Sequence, residues 1–250
     1  FGADVARAAA RGRDLVRLTI GEPAFDSAPP HHEAGIAEIR RGNTHYSDPQ
    51  GVPSLRKAIA DYVARTRGIA VDPGRVVVLP GAKPSISLTL QTYVDPGDEV
   101  IYPSPGGAIY ESWTTFVRGV PIPRRLREDH AFTFTADDLA ALITPKTKLI
   151  VFCSPSNPTG GVLPATLLAE VAAVIREQCG PHVRLYSDEI YEHILFDGVE
   201  HASIATQPGM AERTIVASGH SKGFAMTGWR LGYAVLPSAE EAQVFKRQVI

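Results

Sequence analysis

The pentapeptide GHSKG at 219–223 sets a hydroxyl and a primary amine side by side, at Ser221 and Lys222. Either can act as a nucleophile once its surroundings activate it. Read on Ser221, the segment is the GxSxG turn that lifts a serine above the sheet of a hydrolase, and RTIVASG (213–219) supplies the strand that must precede it. Such a serine needs an acid and a histidine later in the chain. Residues 224–250 contain neither Asp nor His, only Glu240 and Glu241 in a helix-patterned stretch, so no triad closes in that order. Read on Lys222, the same turn presents an amine, which becomes nucleophilic when it is desolvated or set near other cations. Arg230 follows eight residues on, past the tight TGW segment.

Other reactive side chains form no constellation. Cys153 and Cys179 share no CxxC spacing and no matching histidine pair, so they read as buried free thiols of a reducing compartment. Glu189 and His193 have helical i,i+4 spacing, but a third ligand is missing from the pattern, and no metal site is expected.

The elements that must position Lys222 are legible as short β-rich runs: RVVVLP (75–80), EVIYP (99–103), KLIVFC (148–153), VRLYSDEI (183–190), RTIVASG (213–219) and RLGYAVLP (230–237). Helix-period stretches lie between most of them. Val52, Leu55, Ile59, Tyr62 and Val63 step at three to four residues, as do Leu167, Leu168, Val171 and Ile175 after Pro164, a helix start. Strands apolar on both faces, alternating with helices, predict an α/β fold with a mostly parallel sheet covered on each side. The first 25 residues are expected outside the main sheet domain, and SAEEAQVFKRQVI is read as a helix running to Ile250.

A chain of 250 residues with 44% hydrophobic and 21% charged side chains can bury a substantial core. A formal charge of −2 gives no reason to expect nucleic acid. Apolar stretches such as LIVFC (149–153) are too short to cross a bilayer, and the first twenty residues show no signal-peptide pattern, so a cytoplasmic location is expected.

SGHSKGFAMTGWRLGY (218–233) resembles the lysine segment of the class I and II aminotransferases, which are fold type I enzymes of the aspartate aminotransferase kind. LTIGEPAFD (18–26), HYSDPQGVPSLRKAI (45–59), LPGAKPSISLTLQTYVDPGDEVIYPSPG (79–106), FCSPSNPTGG (152–161) and LYSDEIYEHILF (185–196) agree in order and spacing. The resemblance implies a seven-stranded, mostly parallel sheet sandwiched by helices over residues 26–250, with residues 1–25 as an arm of a partial small domain. It implies pyridoxal 5′-phosphate held as an imine on Lys222 and transfer of an amino group between an L-amino acid and a 2-oxo acid. Asp188 is similar to the carboxylate that keeps the cofactor's ring nitrogen protonated, which the ring needs to draw electrons from the substrate. Tyr191 and Asn157 resemble the pair that hydrogen-bonds its phenolic oxygen, and Asn157 and Gly21 also border the substrate carboxylate. Gly81, Ala82 and Lys83, where a strand gives way to a helix, resemble the phosphate cradle, completed by Ser221 and the fork of Arg230. Tyr46 is similar to the tyrosine that reaches the phosphate of a neighbouring subunit, which implies a homodimer with shared sites.

Two departures accompany the resemblance. Gly107 occupies the position of the family's ring-stacking aromatic, so Tyr110 or another residue is expected to cover the ring. The family's C-terminal domain, with its carboxylate-binding arginine, has no counterpart in these residues, and the chain reads as part of an enzyme. A lyase of the same fold would use the same lysine, aspartate and tyrosine. A non-catalytic sensor domain would need an upstream DNA-binding module.

Overall fold

The computed structural model describes residues 2–16 and 20–249. Leu18 and Thr19 of the LTIGEPAFD segment, and Ile250 at the end of the expected last helix, lie outside the described residues.

Seven strands form: β1 (Val76–Leu79), β2 (Glu99–Ser104), β3 (Val120–Arg125), β4 (Thr147–Cys153), β5 (Arg184–Asp188), β6 (Thr214–Gly219) and β7 (Gly232–Val235). The helices are α1 (Gly2–Ala10), α2 (Pro29–Arg40), α3 (Pro53–Arg67), α4 (Lys83–Tyr93), α5 (Ala108–Phe116), α6 (Ala136–Ala140), α7 (Ala165–Gln178) and α8 (Ala239–Gln248). The strands make one sheet in the order β1-β7-β6-β5-β4-β2-β3. β3, β2, β4, β5 and β6 are parallel, and β7 runs antiparallel to both neighbours. The α/β class and the seven-stranded, mostly parallel sheet are as the sequence leads one to expect.

Both faces of the sheet are covered, which is why its strands are apolar without alternation. Val77, Val100, Leu149 and Ala217 pack with Leu88 of α4 and Phe245 of α8 on one side. On the other, Ile101, Ile150 and Leu185 pack with Val171 and Ile175 of α7, and Val76, Val216 and Val235 with Ile59 and Val63 of α3. β3 is the strand that the sequence pattern did not disclose. Its VPIPRR carries two prolines, which sequence reasoning takes as strand breakers; at the sheet edge their missing N–H groups cost no ladder bond. Pro164 caps α7 from just outside instead of starting it. α1 buries no residue, and before residue 26 no described residue joins the sheet.

Because β7 is antiparallel, its N-terminal end lies at the same edge as the C-terminal ends of β1, β4, β5 and β6. Ligands of open α/β sheets bind in the crevice at that edge.

Candidate active site

β1 hands over to α4 through Pro80 and Gly81. Gly81 has φ +87°, in the left-handed region, and a Cβ there would lie 2.1 Å from Nη2 of Arg230. A Cβ on Gly232 would come within 2.4 Å of the Gly81–Ala82 backbone. The two glycines thus let the strand–helix turn and the start of β7 close on each other, with Arg230 laid across them. Arg230 donates to the carbonyls of Thr227 (2.8 Å) and Pro80 (3.3 Å). The backbone N–H groups of Ala82 and Lys83, at the start of α4, and this guanidinium make an edge suited to an anion.

Asp188 ends β5, in register with Cys153 of β4 and Ala217 of β6. Its carboxylate accepts from the Tyr110 hydroxyl (2.8 Å) and the Ile190 N–H (3.4 Å), and among the described residues no cation pairs with it. Burial raises its pKa to about 6, against the lowering effect of Tyr110. In the turn that follows, the Tyr191 hydroxyl accepts from Asn157 Nδ2 (3.2 Å), which sits in the loop after β4.

Lys222 lies three residues beyond β6, half-buried, and donates to the Gly21 carbonyl. Lost hydration lowers its pKa, Lys83 and Arg230 add to that, and Glu22 opposes it. The amine is therefore easier to deprotonate than an ordinary lysine's, which is what a nucleophilic amine requires.

These groups face one cavity of about 400 Å³. Gly21, Ala82, Lys83, Asn157, Asp188, Tyr191, Ser221, Lys222 and Arg230 all line it, and Gly81 lies against Arg230. Tyr46 is not brought there: it is fully exposed and borders no part of the cavity. No histidine lines the cavity, so Ser221 has no imidazole beside it there.

Tyr110 and Gly107 were read in the sequence without the partners they have here, and Cys153 only as a buried thiol. Tyr110, 3% exposed, spends its hydroxyl on Asp188. Its place one helical turn after Gly107 was the available signal. Gly107 itself lines the cavity, and an added Cβ would make only ordinary contacts, 3.5 Å to the Tyr110 ring and 3.6 Å to Ile109. Cys153 is buried, as a thiol of this kind should be, but it also lines the cavity, and burial pushes its pKa up to about 12. Glu189 and His193, the pair at helical spacing, turn to different partners: Glu189 to Arg67, His193 to Tyr62. Among the described residues no group of three or more His, Cys, Asp and Glu could hold a metal, and no helix is long and apolar enough to cross a membrane.

The model of the family described as "Aminotransferase class I and II" matches residues 13–249. The chain belongs to this family. Among curated aminotransferases it is 42% identical over 232 residues to an arginine–pyruvate transaminase of Pseudomonas aeruginosa, covering 92% of this chain and 57% of that one. A bifunctional aspartate aminotransferase and glutamate/aspartate-prephenate aminotransferase of Petunia hybrida is 40% identical over 228 residues, 90% of this chain and 47% of the relative. Among solved aminotransferases, the aspartate aminotransferase of Rhizobium meliloti superposes with a TM-score of 0.94 at 35% identity, covering 99% of this chain and 62% of the other. The Thermus thermophilus enzyme with maleate gives 0.92 at 37%, covering 99% and 63%. The chain thus spans about half to three fifths of the length of the aminotransferases it matches.

Proposed function

We propose that this chain is the large-domain portion, residues 26–250, of a pyridoxal-phosphate-dependent aminotransferase that moves an amino group between an L-amino acid and a 2-oxo acid. The observation that carries the reading is one cavity lined both by a half-buried carboxylate that pairs with no cation among the described residues, Asp188, and by an amine of lowered pKa, Lys222. The residues fit the cofactor. Asp188 offers a stranded negative charge that a protonated ring nitrogen would compensate. The Gly81 turn leaves room for the Arg230 guanidinium that a side chain would fill. Lys222 would hold the cofactor through its amine, Asn157 and Tyr191 its phenolic oxygen, and Gly81, Ala82, Lys83, Ser221 and Arg230 its phosphate.

Pyridoxal phosphate, when bound, supplies a ring that stabilises negative charge on the substrate carbon. The remaining work belongs to the protein. Lys222, once its amine is free, would carry the proton from the substrate Cα to the C4′ carbon of the bound cofactor, a task that a lysine of lowered pKa performs near neutral pH. Asp188 would hold the proton of the ring nitrogen through its partly desolvated carboxylate, oriented by the Tyr110 hydroxyl. Gly21 and Asn157 border the place of the substrate carboxylate. Tyr46, exposed on the surface, is assigned to the site of a second subunit, which makes the working unit a homodimer. The two free, buried cysteines support a reducing compartment, the cytoplasm.

The test is incubation of the full-length protein with pyridoxal phosphate, an amino acid and 2-oxoglutarate. Glutamate as a new product supports transfer. Pyruvate with ammonia and no glutamate would assign the site to the eliminating lyases, and no turnover with any amino acid would leave only a binding domain.

A further inference from the structure

Behind the segment that carries Asp188 and Tyr191 lies a buried ion cluster that the reaction itself does not touch. Arg67 Nε donates to Glu189 (2.7 Å) and its Nη2 to Glu192 (2.6 Å), with the side chains 1%, 1% and 7% exposed. Its remaining nitrogen, Nη1, donates to Thr66 Oγ1 (2.6 Å). Glu189 also accepts from Ser187, Ser203 and His201, and Glu192 from Ser218 (2.8 Å). The spacing is regular: Asp188 and Tyr191 line the cavity, and the residue after each turns the other way, onto Arg67.

Arg67 reaches this place from α3, on the stripe that steps Ile59, Val63, Arg67 down its buried face. Stability does not explain a charge there, since well-packed apolar residues replace buried ion pairs without loss in many folds. What apolar packing lacks is direction. A guanidinium whose two nitrogens each hold a different carboxylate fixes the distance and angle between residues 189 and 192, and hence the facing of 188 and 191.

We propose that Arg67 is a positioning residue: through Glu189 and Glu192 it holds Asp188 and Tyr191 at their spacing in the active site. This rests on the aminotransferase reading of that site. Arg67 acts on the chemistry only through these two neighbours.

The test uses the full-length protein with pyridoxal phosphate. Arg67→Met alone strands two carboxylates and can prevent folding, so the main variant is the neutral set Arg67→Met, Glu189→Gln and Glu192→Gln, with Glu192→Gln alone as the milder companion. With folding verified by circular dichroism, kcat is expected to fall on the order of ten- to a hundredfold in the triple variant, as misplaced catalytic groups do, while KM changes little. The pH midpoint of the cofactor's visible band is expected to move as well, because Tyr191 and Asp188 both bear on it. Arg67→Lys should not restore kcat, since one ammonium cannot hold both carboxylates in the same geometry. Glu192→Gln should show the same changes, smaller. A folded triple variant, or Glu192→Gln, with unchanged kcat and unchanged band titration would overturn the proposal. An Asp188→Ala control separates the two claims: if it too is indifferent, the reading of the site falls, and if it alone is impaired, only the role of Arg67 falls.

Discussion

Asp188 and Glu189 are neighbours at the end of one strand, both carboxylates, the first half-buried on the cavity wall and the second fully buried, and their acidities move in opposite directions. Burial raises Asp188 to about 6, with only Tyr110 and one backbone N–H to offset it. Burial would raise Glu189 as well, but Arg67, with His201 and Ser203, outweighs it and brings the group down to about 2. One face of the segment is electrostatically finished and the other is left incomplete. A protein leaves a buried charge uncompensated where something else is to complete it, and that is how the cavity face declares itself as a site.

Mutations should divide along the same line. Asp188→Ala in the full-length protein is expected to lower kcat on the order of a thousandfold, the scale of losing a preorganised charge, with little loss of Tm. Steady-state assays beside a thermal melt check both halves. Glu189→Ala should do the reverse: it leaves Arg67 part-paired inside the protein and is expected to cost about 3–5 kcal/mol of stability, read by urea denaturation, with a smaller effect on rate. Equal damage to rate and stability in both variants would erase the comparison.

The pH dependence of the cofactor-free protein sharpens it. Between the ordinary Asp value of 3.8 and about 6, the folded state binds the Asp188 proton more tightly than the unfolded state. This contribution therefore makes stability fall as pH rises through that window, by about 3 kcal/mol in total, and stay level above it. Glu189 has the opposite sign: its contribution is present above 4.5 and is lost as pH falls toward about 2. Denaturant midpoints measured from pH 3 to 7 should lose the upper slope in Asp188→Asn and keep the lower one.

The smallest expected effect concerns Gly107. Its backbone is ordinary and a Cβ meets no close contact, so Gly107→Phe should fold. A ring there is expected to tighten pyridoxal phosphate binding by about 1 kcal/mol, roughly fivefold in Kd, measurable by fluorescence titration.

The cavity face was readable in the sequence because its chemistry is written in contiguous strings. Lys222 and Arg230 share one segment, and Asp188 and Tyr191 another. The opposite face was not. Arg67 stands 122 and 125 residues from its carboxylates, and Tyr110 stands 78 from Asp188. Such pairings are made by the strand order, which periodicity does not report. A charge on the apolar stripe of α3 was the available clue, since Arg67 follows Val63 by one helical turn. β3 was missed for a related reason: proline forbids a central strand, and only topology reveals that this one lies at the edge.

Lys222 is the residue expected to take the cofactor. Borohydride reduction of the full-length protein with pyridoxal phosphate, followed by peptide mass mapping, tests this directly. The expected result is a single phosphopyridoxyl group on Lys222, absent from Lys222→Ala. A label on Lys83 instead, or one that persists in Lys222→Ala at the same stoichiometry, would contradict it.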